Sequence, residues 1–142
     1  MHVRRRLQEG VMLLEALIAI LIFSVGILAL VALQGTAISY VSDAKYRTDA
    51  SFLVNDLISQ IWVDRANLAN YDYRSGGTPP TALTSWIARV NSALPQSDTN
   101  PPYVAVDTAT GTVDVIVYWR QPSASAASAP RKYEAVSVIA SP

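Results

Sequence analysis

The 142-residue chain contains no cysteine, which removes disulfides, thiol nucleophiles and thiolate metal sites together. Its single histidine, His2, lies in the N-terminal tail. Neither a Ser-His-Asp arrangement nor a multi-histidine metal site can therefore be assembled. Proline is missing from Met1 to Thr78, so that whole stretch is free of the strongest helix breaker. Basic residues form one cluster only, Arg4, Arg5 and Arg6, within a formal net charge of +0. A nucleic-acid partner would require Lys and Arg gathered on the folded part, and the sequence has no such patch. Neither metal nor cofactor is expected. Asp56, Asp64 and Asp72 recur every eight residues, but a solvated helix face accounts for them.

The length allows one modest domain, and the apolar residues are unevenly spread. Over residues 11–33 only Glu15, Ser24 and Gly26 interrupt an apolar run of 23 residues. As a helix it spans roughly 34 Å, enough for a hydrocarbon core of about 30 Å. The three arginines before it predict a cytoplasmic N-terminus. No second run follows, so the residues after Leu33 are expected on the other side, in a bacterium the periplasm. A plain single-span anchor fits this run. So does a cleaved secretory signal, with Gly35, Thr36 and Ala37 as small residues at a processing site, although the run exceeds the usual apolar core of about 7–15 residues. Neither reading explains Glu15. A carboxylate at the bilayer centre costs about 2.5–3.5 kcal/mol, and a position near the interface only lessens that cost.

Arg4-Arg5-Arg6, then Gly10, then "VMLLE" and the long apolar helix together resemble the N-terminal signal of type IV pilins and pseudopilins. The resemblance implies that a prepilin peptidase cuts on the cytoplasmic face between Gly10 and Val11. It implies that the new Val11 amine is methylated and that the apolar segment stays attached. Glu15 becomes the fifth residue of the mature chain, where pilins carry their glutamate. Val11 departs from the usual Phe or Met, and Met12 from the frequent Thr or Ser. Within one chain Glu15 and the Val11 amine lie about one turn apart, roughly 6 Å along the axis. Between chains, the resemblance implies that Glu15 of an incoming subunit faces the N-terminal amine of one already in the filament. In a low-dielectric bundle that pairing fixes register, because a slip leaves both charges unpaired. Ser24 and Gly26 either permit close helix approach in such a bundle or are ordinary small residues of a spanning helix.

Beyond Leu33 the helical pattern continues. Ala50, Leu53, Val54, Leu57, Ile58, Ile61 and Trp62 recur at three- and four-residue steps, an apolar stripe for a core. One helix is expected, with a membrane half over residues 11–33 and an amphipathic half over 34–70, after a leader of residues 1–10. Gly76, Gly77, Pro79 and Pro80 end it. The remainder, residues 71–142, is read as a small periplasmic part. It holds a short helix over 82–94 with Leu83, Trp86, Ile87, Val90 and Leu94 on one face. Strands follow over 103–107, 112–121 and 132–140, with a low-complexity loop over 123–130. Trp62, Trp86 and Trp119 fall on the expected inner faces. The fold class is α+β and pilin-like: one long N-terminal helix packed on an antiparallel sheet of about three or four strands.

"SDAKYRTDASFLVNDLISQIWVDRANLANY" followed by "WIARVNSALP" resembles minor pilins of the pilus-modification (PilV) group. Such proteins are implied to prime assembly of the type IV pilus in a tip complex. The implied partners are other minor pilins and the major pilin through a helix bundle, the prepilin peptidase, and the inner-membrane assembly platform. A minor pseudopilin of a type II secretion system is the alternative. A major pilin is disfavoured, since those chains commonly close a C-terminal disulfide loop and this one has no cysteine. An enzyme is not expected. Cleavage after Gly10 removes the only histidine and takes Lys+Arg from 11 to 8 and Asp+Glu from 11 to 10, a net of −2.

Overall fold

The computed structural model describes residues 3–74, 77–125 and 127–139. His2, Gly76 and Ala140, all used in the sequence reading, lie outside the described residues. The elements are a helix α1 (Val3–Val63), a 3-10 segment (Arg65–Tyr71), a helix α2 (Thr81–Ala93) and strands β1 (Tyr103–Asp107), β2 (Thr112–Trp119) and β3 (Arg131–Val138). The chain divides into two compact units, Met1–Tyr40 and Val41–Pro142.

In the second unit, packing follows from periodicity. Ala50, Leu53, Val54, Leu57 and Ile61 of α1 are buried; at about 100° per residue they fall within one face. Trp62 was expected there and is instead 40% exposed. It lies about 120° round the helix from Ala50, outside the buried arc. Ile58, at about 80°, is half-buried at the margin.

The strands bury alternate residues, Val104 and Val106 on β1 and Val113, Val115, Val117 and Trp119 on β2. The sheet has the order β1-β2-β3 and is antiparallel throughout. Trp86, Leu83 and Val90 bring α2 into the same core. Trp86 is fully buried, and its indole N–H donates to the Leu53 carbonyl of α1 at 2.8 Å. The expected α+β class is therefore found, with the long helix packed on a three-stranded antiparallel sheet.

Several boundaries differ from expectation, three of them for a visible reason; α2 is Thr81–Ala93 where 82–94 was expected, and β3 ends at Val138. The α-helical part of α1 ends at Val63, not near residue 70. Asp64 takes up the chain there: its carboxylate accepts from Asn67 Nδ2 at 2.7 Å and from the Tyr71 hydroxyl at 2.9 Å, holding a tighter 3-10 segment whose Asn67 has left helical geometry. β2 stops at Trp119 because the Arg120 N–H turns away to the Pro95 carbonyl at 3.0 Å. β3 starts at Arg131, directly after Pro130, which has no N–H to offer a ladder. The β1–β2 turn needs its glycine. Gly111 has φ +70, and a Cβ there would run into the Ile139 carbonyl oxygen.

Asp114 of β2 sits on the outer sheet face, opposite Ala105 and Val136. Burial holds its carboxyl above the usual 3.8; the nearby Glu134 adds to this and Lys132 opposes it. A carboxyl raised by folding is best tolerated protonated. Its contribution to stability is then most favourable below the unfolded value and is lost as pH rises through the folded one. Asp114→Asn is expected to raise the thermal midpoint of the folded part at pH 7. The gain over wild type should shrink toward zero as pH approaches 4, which melts followed by circular dichroism at the two pH values would check.

Candidate processing and assembly segment

The residues singled out by sequence lie on one element. Gly10, Val11 and Glu15 all belong to α1, which continues through Gly10 without a break. The backbone of Arg4, Arg5 and Arg6 is part of the same helix. No proline interrupts α1, so its regular hydrogen bonding is preserved across the whole apolar run.

Gly10 is not required by the folding of this chain. A Cβ placed there would meet nothing within 4 Å, and its φ is not positive. In a helix interior glycine costs roughly 0.5–1 kcal/mol relative to alanine. Gly26 and Gly35 likewise face open space. Val11 is 63% exposed, and Glu15 is exposed one turn further along. Among the described residues Glu15 has no hydrogen-bond or ion-pair partner.

The surroundings of Glu15 are apolar and uncovered. Leu13, Leu14, Leu17, Ile18, Ile20, Leu21, Phe23, Leu28 and Leu33 are all exposed. The helix over Gly10–Val63 is long and apolar enough to cross a membrane, with a mean hydropathy of 3.0 in its most apolar 18-residue window. The hydroxyls in and beside the run are satisfied locally. Ser24 donates to the Ile20 carbonyl at 2.7 Å and Thr36 to the Ala32 carbonyl at 3.1 Å, so neither carries an unpaired donor into an apolar medium. Among the described residues, Glu15 is the one polar side chain of the run without a hydrogen-bond or ion-pair partner.

The three evenly spaced aspartates do not converge. Asp56 accepts from Arg89 at 2.6 Å and from Gln60 at 2.9 Å, joining α1 to α2. Asp64 holds the 3-10 segment, as described above. Asp72 accepts the Val106 N–H at 2.8 Å and pairs with Arg74 at 2.9 Å. Among the described residues no group of three or more His, Cys, Asp or Glu side chains is placed to hold a metal ion. A cleft of about 280 Å³ between Tyr103, Tyr118 and Pro130 is lined mainly by prolines and tyrosines, with no carboxylate or amine among its lining residues.

Sequence reasoning missed two features. Phe52 and Val63 are 76% and 90% exposed, large apolar residues on the outer side of α1 beyond the apolar run. The periodicity that finds a buried stripe also shows these two positions off it, and that was the available signal. The Asp72–Arg74 arrangement on β1 joins residues more than thirty positions apart and left no local trace in the sequence. In comparison with known proteins, the chain matches no family model, no curated protein and no solved structure.

Proposed function

We propose that this chain is a minor pilin of the pilus-modification type. It is cut by a prepilin peptidase between Gly10 and Val11, methylated at Val11, and held in the bacterial inner membrane by the apolar half of α1. Arg4, Arg5 and Arg6 keep the leader on the cytoplasmic side, and the part beyond residue 33 is periplasmic. The subunit then joins other minor pilins and the major pilin through a helix bundle and primes fibre assembly at the tip.

The observation that carries the reading is Glu15, a carboxylate without a partner one turn from Val11 on an exposed apolar helix. Such a group is costly in lipid unless a cation arrives, and cleavage of a neighbouring copy supplies one as its new α-amine. Gly10 adds support, because its missing side chain serves no contact within this chain and leaves the backbone open to a peptidase. On this reading the protein performs no reaction of its own; it is the substrate of the peptidase.

Gly10→Val tests the assignment. The valine meets no clash in the fold, so the variant should accumulate in membranes with residues 1–10 attached and Val11 unmethylated. An immunoblot comparing its migration with that of the wild-type chain, with and without peptidase, reads the result. A variant of normal mature size would place the cut elsewhere.

A further inference from the structure

β1 and β3 are the two edges of the sheet, and the chain treats them differently. On the outer side of β1, Tyr73 and Val104 exchange N–H to carbonyl bonds, both at 2.8 Å. Two residues on, the Val106 N–H donates to Asp72 Oδ1 at 2.8 Å, and Arg74 Nη2 donates to the Val106 carbonyl at 2.9 Å. The outward backbone groups of β1 are thus taken by a short bridge and by an ion pair that imitates a neighbouring strand.

β3 is open. The Ile139 N–H donates to the Gly111 carbonyl at 2.8 Å, and this extends the β2–β3 register by one pair. By antiparallel alternation Arg131, Tyr133, Ala135 and Ser137 bond to β2, while the N–H and C=O groups of Lys132, Glu134, Val136 and Val138 point out of the sheet. Among the described residues nothing takes these groups. Their side chains lie on the outer face, where Val136 and Val138 are 61% and 62% exposed. The usual protections of such an edge are a proline, a bulge or charged side chains. Here Pro130, Arg131, Lys132 and Glu134 guard the first half of β3, with Lys132 and Glu134 paired at 2.7 Å, while residues 135–138 carry neither charge nor proline and the eight-residue register is unbroken.

We propose that β3 is the docking edge for an extended segment of a different protein chain, which joins the sheet as a fourth strand and carries a Lys or Arg beside Glu134 and apolar residues beside Val136 and Val138. Charge selects that occupant. Asp114 and Glu134 lie diagonally across β2 and β3, and Lys132, on the far side of Glu134, is the one cation acting on Asp114, so the three groups carry one more negative than positive charge; Asp114 Oδ1 is buried without a hydrogen-bond partner among the described residues. A cation at the Glu134 register completes the set. A second copy of this chain does not fit. Of the antiparallel self-pairings that join outward groups, the one setting Lys132 against Glu134 also sets Val136 against Pro130, which has no N–H. The others place Lys132 on Lys132, Glu134 on Glu134, or Glu134 on a valine.

The inward side chains of an added strand would face the flank of α1. Ser51 Oγ donates to the Tyr133 hydroxyl at 3.3 Å, which marks the flank of α1 beside β3. Trp62, eleven residues further and about 20° round the helix, lies on that same flank and is 40% exposed. Strand addition of this kind draws affinity from main-chain bonds and specificity from alternate side chains.

The inference rests on the sheet edge and does not depend on the pilin reading. The test uses the full chain in detergent micelles and a capped peptide, acetyl-VTVTKTVTV-amide, whose lysine and valines share one face, with a second peptide carrying glutamate in place of its lysine. Amide exchange by NMR should slow about fivefold at Lys132, Glu134, Val136 and Val138 when the lysine peptide is at four times its dissociation constant, with Val104 and Val106 unchanged. The glutamate peptide should protect far less, and Glu134→Lys should reverse the preference. The proposal is overturned by no slowing with either peptide or by equal slowing with both. It is equally overturned if these amides become protected without peptide as protein concentration rises, since a second copy would then be the occupant.

Discussion

Glu15→Ala is expected to be cut, methylated and inserted as the wild-type chain is, yet to be nearly missing from filaments. The side chain is exposed and has no hydrogen-bond or ion-pair partner among the described residues, so its removal should leave the fold and the folded part's stability unchanged. The loss falls on the neighbour's α-amine. Removing one member of a charge pair buried in an apolar bundle costs about 3–5 kcal/mol, and each 1.4 kcal/mol is tenfold in an equilibrium. Even after a generous discount for water near the interface, incorporation should fall by on the order of tenfold or more. Immunoblots of sheared filaments against the membrane fraction measure it. Glu15→Gln separates charge from shape: it keeps the volume and loses the carboxylate, and should fail nearly as badly as alanine. A glutamine variant found in filaments at wild-type level would remove charge pairing from the account.

Trp86→Ala carries the largest expected effect on stability. The side chain is fully buried among residues of α1, α2 and the sheet, and its indole N–H reaches across to the Leu53 carbonyl. Truncating a buried Trp costs about 3–5 kcal/mol in lost transfer energy and cavity. A domain of this size has only about 5–15 kcal/mol to lose. The thermal midpoint of the folded part should drop by at least about 12 °C, read by near-ultraviolet circular dichroism. Trp86→Phe keeps most of the volume and loses the donor, and should cost about 1 kcal/mol. Trp62→Ala should be mild, since that ring is 40% exposed.

The contrast between these tryptophans shows what was legible in the sequence. Periodicity locates a stripe, and the stripe was right for Ala50, Leu53, Val54, Leu57 and Ile61; it fails at its margin, where Trp62 is apolar enough to be included but sits too far round the helix. Alternation placed β1 at its observed bounds, and it put Val113, Val115, Val117 and Trp119 on the inner face. It could not show where β2 ends, because the Arg120 N–H leaves the ladder for Pro95, a partner on another element. The end of α1 was misplaced for a similar reason. Asp64 reads as an ordinary polar residue until Tyr71 and Asn67 are brought to its carboxylate.

The residues of the proposed segment were all named from the sequence, and Gly10, Val11 and Glu15 lie together on one helix. The asymmetry of the sheet edges was not legible there. It depends on Asp72 and Arg74 meeting Val106, and on nothing described meeting the outward amides of β3.

One measurement bears on the central claim most directly: the mass of the N-terminal fragment of the protein purified from the cells that make it. The account predicts a chain that begins at a methylated Val11 and lacks Arg4, Arg5 and Arg6. A fragment that starts at Met1 would describe a plain membrane anchor, and one that starts at Ile38 a secreted protein; either contradicts the role given to Glu15.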